Sequence, residues 1–394
     1  MRFSVSTNWQ DGLLDEIKHP SVDEVYGKMA SDFVGGGRAS FLLPQVSRRM
    51  AQLHIKKAHS YGMKFNYLLN AACLDNREFT ISGQKKLRRL LDWLGRMDVD
   101  MVTVSLPYLL EFIKRNYPAF QVSVSAHANV DSIARAKYWQ DLGADQITLS
   151  PYKLNRHFAL LRKIRQHVKC TLQLIGNNAC LYDCPLVHYH ANVVSHSSQE
   201  GHLTKGCVID YCILWCRYKM ANSPADIVKA DWIRPEDIGY YEDIGIDKIK
   251  LVDRSKSVQA IALAVKAYVQ RRYDGNLLEI CGLGAERAVP KDRRWRMLKY
   301  FFHPERINVF RLIKYKELAA TPLFIKLNNR ALDGFLEHFL REDCTLKACS
   351  DCNYCQRVAE KAVEVDASSR DRLITKYKSL LDEMVSARLF KYFS

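Results

Sequence analysis

The sequence predicts a (β/α)8 barrel followed by an α-rich C-terminal extension that carries a cysteine cluster. In the first 275 residues, short runs rich in branched apolar residues alternate with longer amphipathic runs, as in parallel β/α folds. Eight strand-like runs can be counted, which is the number that a closed barrel of this type requires. The 394 residues also suffice for one barrel of roughly 250 residues with an extension.

The eight predicted strands are followed by polar side chains that should meet at one end of the barrel. The strands are residues 2–7, 23–28, 64–70, 99–105, 120–126, 144–150, 171–176 and 247–253, and helices are predicted at 46–62, 82–97 and 130–143. Reaction sites of (β/α)8 barrels form at the C-terminal ends of the strands. We therefore expect one mouth lined by Asn70, Ser105, His127, Ser150, Asn177, Asn178 and Arg254.

We divide the chain into a barrel domain, residues 1–275, with a cysteine-rich insertion at 177–235, and an extension, residues 276–394. The composition, 48% hydrophobic and 26% charged, is that of a globular protein. No apolar run approaches the length of a membrane span, and the N-terminal residues do not resemble a secretory signal, so we expect a cytoplasmic protein. The net charge of +16 favours anionic partners such as nucleic acid or acidic small molecules.

Two cysteine pairs in the insertion indicate a metal centre. Three residues separate Cys180 from Cys184, and three separate Cys212 from Cys216, so that two short turns can direct four sulfurs at one point. Thiolates suit iron–sulfur clusters or zinc, and the spacing does not choose between them. Cys207 is either a spare thiol or a ligand in place of Cys212. A mixed zinc site is also open, because the same stretch contains His188, His190, His196 and His202.

A second cluster stands near the C-terminus. Cys344, Cys349, Cys352 and Cys355 lie within twelve residues, close enough to surround one centre without help from elsewhere. Such spacing occurs in ferredoxin-type loops and in zinc clips, and both remain open. The other three cysteines have apolar neighbours in the sequence, and we interpret them as core residues; they are Cys73, Cys170 and Cys281.

Two further segments have an anion-binding interpretation and a structural one. Gly35, Gly36 and Gly37 precede Arg38, and such a run can present backbone amides and a guanidinium to an anion, or form a flexible turn with a solvated arginine. In residues 287–316, basic and aromatic side chains are interleaved. This pattern is found in proteins that bind single-stranded RNA, but it also fits helices that pack their aromatic side chains on the barrel.

Four stretches together resemble the collagenase-like peptidase family U32. They are EVYGKMASDFVGGGR (24–38), FNYLLN (65–70), NNACLYDCP (177–185) and IRPEDIGYYEDIGIDKIKLVDRS (233–255), and the resemblance covers roughly residues 1–275. Several family members resemble iron–sulfur proteins of oxygen-independent hydroxylation, acting on RNA pyrimidines or ubiquinone precursors. The resemblance implies an oxidoreductase with an anionic substrate, either RNA or a small molecule such as prephenate, and with an electron donor or a paralogous subunit as partner.

The resemblance also implies residue roles. Cys180, Cys184, Cys212 and Cys216 match the two cysteine pairs that hold a 4Fe-4S cluster in the family, although here the first pair is tighter and the gap to the second is longer. Cys207 is the substitute ligand. The run at 344–355 is not part of the family pattern and suggests a specialised branch with a second cluster. We assign Arg38 and Arg254 to orienting an anionic group, and His127 to proton handling.

Two other classes of function remain open at this stage. The family name suggests a peptidase, but neither a GxSxG nor an HExxH string occurs, which leaves a cysteine nucleophile paired with His127 or His196. Clustered thiols favour metal binding over that role. The third class is an RNA-binding or scaffold protein with structural metal sites. His127 also has a structural interpretation as a hydrogen-bonded residue at a strand end, and Arg254 as a partner of Asp247 or Asp253.

Overall fold

Eight parallel strands close into a barrel, which confirms the predicted fold class. The computed structural model describes residues 1–206, 208–283, 307–315, 318 and 325–391. Each strand pairs with the next, and the eighth pairs with the first. The strands are β1 (Arg2–Ser6), β2 (Val22–Gly27), β3 (Lys64–Leu69), β4 (Met101–Val104), β5 (Gln121–Val124), β6 (Gln146–Thr148), β7 (Thr171–Ile175) and β8 (Lys248–Leu251). All eight lie within a residue or two of the predicted ranges.

Helices connect the strands, and several begin at a side chain that caps the first turn. Ser47, Thr80, Ser132 and Ser257 each accept a hydrogen bond from a backbone amide three residues later, which satisfies one free donor of the helix. The barrel helices are α1 (Leu13–Ile17), α2 (Arg48–Ser60), α3 (Ile81–Arg96), α4 (Pro107–Asn116), α5 (Ile133–Asp141), α6 (Pro151–Leu154), α7 (Phe158–His167), α8 (Val187–His196), α9 (Tyr211–Asn222), α10 (Ala225–Lys229), α11 (Ile238–Glu242) and α12 (Val258–Gln270). The helices predicted at 46–62, 82–97 and 130–143 correspond to α2, α3 and α5.

The interior of the barrel is polar. Along each strand, apolar side chains point outward to the helices, while polar side chains alternate with them and bond to one another across strands. Glu24 accepts hydrogen bonds from Ser4 (2.5 Å) and Asn66 (3.1 Å), and Asn66 in turn accepts one from Thr103 (2.7 Å). Lys248 Nζ lies 3.2 Å from Glu24 Oε2. Because these groups are buried, each depends on its partners for stability.

The segment between β7 and β8 covers the C-terminal end of the barrel. It contains α8 to α11, and its turn after α8 bonds to the loop after β2. Ser198 Oγ accepts the Gly36 amide (2.9 Å), and the Glu200 amide donates to the Asp32 carbonyl (2.8 Å). The insertion therefore lies over the mouth, as its position after the seventh strand predicts.

The C-terminal region packs on the same core through a buried arginine. Arg234 donates to Asn329 (3.0 Å), to the Leu332 carbonyl (2.6 Å) and to Asp333 (2.5 Å). The elements of this region are α13 (Val309–Ile313), β9 (Ile325–Leu327), α14 (Glu337–Arg341), α15 (Cys349–Cys352), α16 (Tyr354–Ala362), β10 (Val363–Val365) and α17 (Ala367–Val385). Strands β9 and β10 are antiparallel, and α17 packs against α9. Most of the basic, aromatic segment 287–316 lies outside the described residues.

In the described part of the chain, no helix combines the length and the apolar character that crossing a membrane requires.

The Glu24→Gln variant tests the polar interior. It leaves Lys248 with the partly exposed Asp23 (3.0 Å) as its remaining counter-ion, so we expect the free energy of unfolding in urea to fall by about 1 to 3 kcal/mol. Glu16→Gln, at an exposed position on α1, is the matched control and should change stability by no more than about 0.5 kcal/mol. Equal stabilities for the two variants would show that the buried pair contributes little.

Candidate active site at the barrel mouth

Four cysteines of the insertion face one another above the barrel. Cys180 and Cys184 lie in the loop after β7, and Cys212 and Cys216 lie one helical turn apart on the same face of α9. Burial raises the pKa of all four thiols; Cys216 adds to the rise at Cys180, and Cys184 adds to the rises at Cys212 and Cys216. We call these four residues the mouth quartet. Cys207, the predicted substitute, lies outside the described residues.

The donor set of the mouth quartet suits a metal centre. Four cysteine sulfurs from two neighbouring elements are the usual ligands of an iron–sulfur cluster, and four thiolates also complete a tetrahedral zinc site. Among the described residues, no three of these sulfurs all lie within 4.8 Å of one another. The residues therefore fit either group, and their chemistry does not choose between iron–sulfur and zinc.

Asp231 fixes the loop that carries Cys180. Its carboxylate accepts hydrogen bonds from the Cys180 amide and from the Asn178 side chain, both at 2.8 Å. Burial raises the pKa of Asp231 to about 6, while these two donors act in the opposite direction. Asn178, predicted at the mouth, thus acts on the mouth quartet through a buried carboxylate.

Cationic side chains lie next to the mouth quartet. Arg38 Nε binds Asp253 Oδ1 at 3.0 Å, and this carboxylate raises the pKa of Arg38. Burial acts to raise the pKa of Asp253, but Arg38 and Lys256 hold it far below its usual range. The charges of Arg38 and Cys180 also interact. Arg38 is therefore an ion-paired residue of the mouth whose side chain is about 35% exposed.

Arg254 is a buried guanidinium with an unused donor. Its residue is 4% exposed, and its Nη1 has no hydrogen-bond partner among the described residues. Burial lowers the pKa of Arg254 to about 10, and the Arg38 charge lowers it further. Neither carboxylate proposed from the sequence is its hydrogen-bond partner, since Asp247 binds Arg165 (2.9 Å) and Asp253 binds Arg38. A buried donor of this kind favours an anionic ligand.

Lys250 supplies a second cation inside the barrel. Its Nζ lies 3.9 Å from the centre of the Tyr26 ring, and burial lowers its pKa to about 8. Lys250 follows Lys248 on the inward face of β8, in line with Arg254 beyond the strand end. The positive charge of the site thus continues from the mouth into the barrel.

Three predicted mouth residues form one hydrogen-bonded group. His127 Nδ1 bonds to the Asn70 carbonyl (3.1 Å), and Ser105 Oγ donates to the same oxygen (3.1 Å). Asn70 Nδ2 donates to Ser125 Oγ at 3.2 Å. Burial lowers the pKa of His127 to about 4, although the hydrogen bond to Asn70 opposes this shift. His127 is therefore a neutral imidazole whose Nε2 is an acceptor.

Close packing explains the three consecutive glycines. A Cβ on Gly36 would stand 2.6 Å from Asn70 Oδ1, and one on Gly37 would stand 2.7 Å from His127 Cε1. Asp32 and Ser198 accept the amides of Gly35 and Gly36, so these two amides are not available to an anion. Two of its three amides therefore serve the fold, and the segment is closely packed and not a flexible turn. It is a packed wall of the mouth.

The other predicted mouth residues have structural partners. Ser150 Oγ donates to Asn129 Oδ1 (2.6 Å). Asn177 accepts the Val252 amide (2.7 Å) and donates to the Ile280 carbonyl (3.0 Å), so it ties the ends of β7 and β8 to the following segment. These contacts account for both side chains without a ligand.

The C-terminal cysteines also converge. Cys344, Cys349, Cys352 and Cys355 line one cavity of about 230 Å³ together with His338, whose Nε2 lies 3.6 Å from Cys352 Sγ. No three of these sulfurs lie within 4.8 Å of one another. The four residues, which we call the C-terminal quartet, thus line one common space.

Two side chains lie between the quartets. The buried Arg156 guanidinium stacks on Trp232 at 4.4 Å, and its charge interacts with Cys355 and Asp231. Tyr182, between the first two cysteines of the mouth quartet, interacts with Cys344 of the C-terminal quartet. The two cysteine sites are therefore neighbours in the fold.

The core position predicted for the three remaining cysteines holds for Cys281, which is fully buried. Cys170 is half-buried against the core. Cys73 is not a core residue, because it lies half-exposed beside Asp75 and His196. His196 follows Cys73 and Asp75 by more than 100 residues in the sequence. The spacing of ligand residues therefore could not predict this group.

Comparison with known proteins places these features in a family. The sequence model of peptidase family U32 matches residues 42–275. The chain is 32% identical over 334 residues to an uncharacterized protease of Methanocaldococcus jannaschii, an alignment that covers 85% of this chain and 87% of that protein. A solved U32 peptidase aligns with a TM-score of 0.49 and 23% identity, over 64% of this chain and 93% of that one.

More distant similarity links the chain to RNA modification proteins. It is 29% identical over 162 residues to tRNA hydroxylation protein P of Haemophilus influenzae. This alignment covers 41% of this chain and 33% of that protein. The chain thus matches about a third of the tRNA hydroxylation relative.

The lowered pKa of His127 has a consequence for stability. Between pH 6.5 and about 4 the folded protein binds fewer protons at this residue than the unfolded chain, so the contribution to stability is complete above pH 6.5 and is lost as the pH falls toward 4. We expect His127→Asn to lose less stability across this window than the wild type. Urea denaturation at both ends of the window measures the difference, and the imidazole shifts in NMR give the pKa directly. A His127 that titrates near pH 6.5 would contradict the assignment.

Proposed function

Because the chain belongs to peptidase family U32 and gathers four cysteines over a basic barrel mouth, we propose that it is an iron–sulfur redox enzyme for an anionic substrate. The reaction class is oxygen-independent hydroxylation or a related modification. The substrate class is an RNA base, a quinone precursor or a small anionic metabolite. The distant tRNA hydroxylation relatives and the charge of +16 support this choice.

One observation carries the proposal: the unpaired Nη1 of buried Arg254 lies at the same mouth as the four cysteines. The cation Arg38 links the two groups, since it binds Asp253, the neighbour of Arg254, and interacts with Cys180. A site built only to hold a structural metal does not need a buried guanidinium without a partner. An anionic reactant next to a redox centre accounts for both the unpaired guanidinium and the four cysteines.

Each residue of the mouth then has a role. The mouth quartet would hold a 4Fe-4S cluster, which supplies one-electron chemistry when bound. Arg254 and Lys250 bind the anionic group of the substrate, and Asp253 holds Arg38 in position beside it. His127 keeps Nδ1–H on the Asn70 carbonyl, so its Nε2 accepts a hydrogen bond from a substrate hydroxyl or from water. The insertion shields the site from solvent.

The C-terminal quartet would hold the second centre. A cluster held there would supply electron-transfer chemistry close to the mouth, with Arg156 and Tyr182 beside it and an external donor protein or a paralogous subunit as the partner. Zinc is the alternative occupant at either quartet.

The geometry does not favour a cysteine peptidase. Such an enzyme needs a thiol paired with a histidine base. Here His127 bonds to a backbone carbonyl, and within the described ranges no hydrogen bond joins it to a cysteine. His196 lies near Cys73, and His338 lies 3.6 Å from Cys352, but both thiols stand among further metal-ligating side chains. The mouth cysteines instead face one another, which is the arrangement of metal ligands.

Metal analysis tests the proposal. Protein purified without oxygen should be brown and contain about eight iron and eight sulfide per chain, and Cys212→Ser and Cys352→Ser should each lose about half of the iron. Cys170→Ser, which alters a half-buried thiol outside both quartets, is the control and should keep all of it. A colourless protein with stoichiometric zinc in both quartets would overturn the redox function.

A further inference from the structure

A third group of metal-ligating side chains lies at the edge of the mouth, apart from both quartets. Cys73 and Asp75 belong to the loop after β3, His196 ends α8, and His202 lies in the turn that follows. The ligand atoms of Cys73, Asp75 and His196 all lie within 4.8 Å of one another. Among the described residues, this is the one set of three or more such groups that is so closely gathered.

The Asp75 carboxylate is the centre of the group. Its Oδ1 lies 3.6 Å from Cys73 Sγ and 3.3 Å from His196 Nε2, and its Oδ2 lies 2.8 Å from His202 Nε2. The two imidazoles stack at 4.4 Å, with 13° between their planes, so both present Nε2 to the same carboxylate. The thiol, the carboxylate and the His196 imidazole thus approach one point from two separate segments. His202 contacts the same carboxylate but does not lie within 4.8 Å of all three ligand atoms, so it is the outermost member of the group.

His196 has an unused ring nitrogen. Its Nε2 is buried and makes no hydrogen bond, although it is close to Asp75. A buried imidazole nitrogen without a partner is unfavourable, and a cation between the ring and the carboxylate would satisfy both. The neighbouring groups suit ligands: His202 Nδ1 contacts Thr204 Oγ1 (3.0 Å), and the Asp75 amide donates to Cys73 Sγ (3.3 Å).

We propose that Cys73, Asp75, His196 and His202 bind a zinc ion that fastens the insertion to the barrel. One sulfur, two imidazole nitrogens and one carboxylate oxygen form a complete tetrahedral set for zinc, and the mixture of soft and borderline ligands disfavours calcium or magnesium. All four positions are filled by the protein, as in a structural site.

The ion would strengthen contacts that the structure already makes. Ser195 Oγ accepts the Ala72 amide (2.9 Å), and Gln199 Nε2 donates to the Cys73 carbonyl (2.6 Å). The same loop begins at Asn70, whose carbonyl holds His127. Zinc binding would therefore order the wall of the active site as well as the insertion.

The test is zinc binding by the full chain and by single variants. Zinc chloride titrated into protein whose quartets keep their own metal, but which is freed of loosely held metal, should bind tightly at one further site per chain. Cys73→Ser and His202→Gln should each weaken this binding by at least about 100-fold, the upper range for loss of a supporting residue. His167→Gln, an exposed histidine on α7, is the matched control and should bind like the wild type. Cobalt substituted for zinc should show a thiolate charge-transfer band that Cys73→Ser removes.

Zinc binding at this third site can be measured whatever the two quartets hold and whether or not the protein is active. Zinc binding at this site should persist in Cys212→Ser and Cys352→Ser, which alter the two quartets. Circular dichroism identifies any variant that fails to fold, and His202→Gln replaces Cys73→Ser in that case. Unchanged zinc affinity in both ligand variants, or a wild-type protein that binds no zinc here, would overturn the proposal.

Discussion

The balance of buried charge governs this barrel. Polar side chains fill its interior, and cations there must be offset by anions because water cannot solvate them. Glu24 offsets Lys248, Asp32 contacts Lys28, and Asp253 binds Arg38. Arg254 forms no such ion pair among the described residues, and its Nη1 is buried without a hydrogen bond. This guanidinium, which lacks an anionic partner, lies at the C-terminal ends of the strands, where barrels of this class place their reactants.

The insertion turns this basic mouth into a candidate redox site. It brings α9, with Cys212 and Cys216, over the loop that carries Cys180, and Asp231 fixes that loop from below. The insertion is itself held by the loops after β2 and β3, through Ser198, Gln199 and the proposed zinc ligands. The positions of the mouth quartet and of the residues that line the mouth therefore depend on the same contacts.

The sequence predicts those features of the structure that depend on residues close together in the chain. Alternating apolar and amphipathic runs located the eight strands, and paired cysteines located both quartets, because their ligands are close in the chain. Contacts between distant segments were not predictable in this way. The glycine run was read as a possible anion anchor, but its cause is the approach of Asn70 and His127. Asn177 was placed among mouth residues, yet it bridges Val252 and Ile280. Apolar neighbours in the sequence predict a core position for Cys73, and its histidine partners, which contradict this, follow more than 120 residues later.

The most direct test of a shared cluster and anion site is electron paramagnetic resonance of the reduced, anaerobically purified protein, recorded with and without prephenate. We predict that the anion shifts the cluster signal in the wild type and in the control Arg271→Met, which alters an exposed, ion-paired arginine, but not in Arg254→Met. A signal that prephenate and other small carboxylates leave unchanged, in a protein that does contain iron, would contradict the assignment of Arg254 to an anionic reactant beside the mouth quartet.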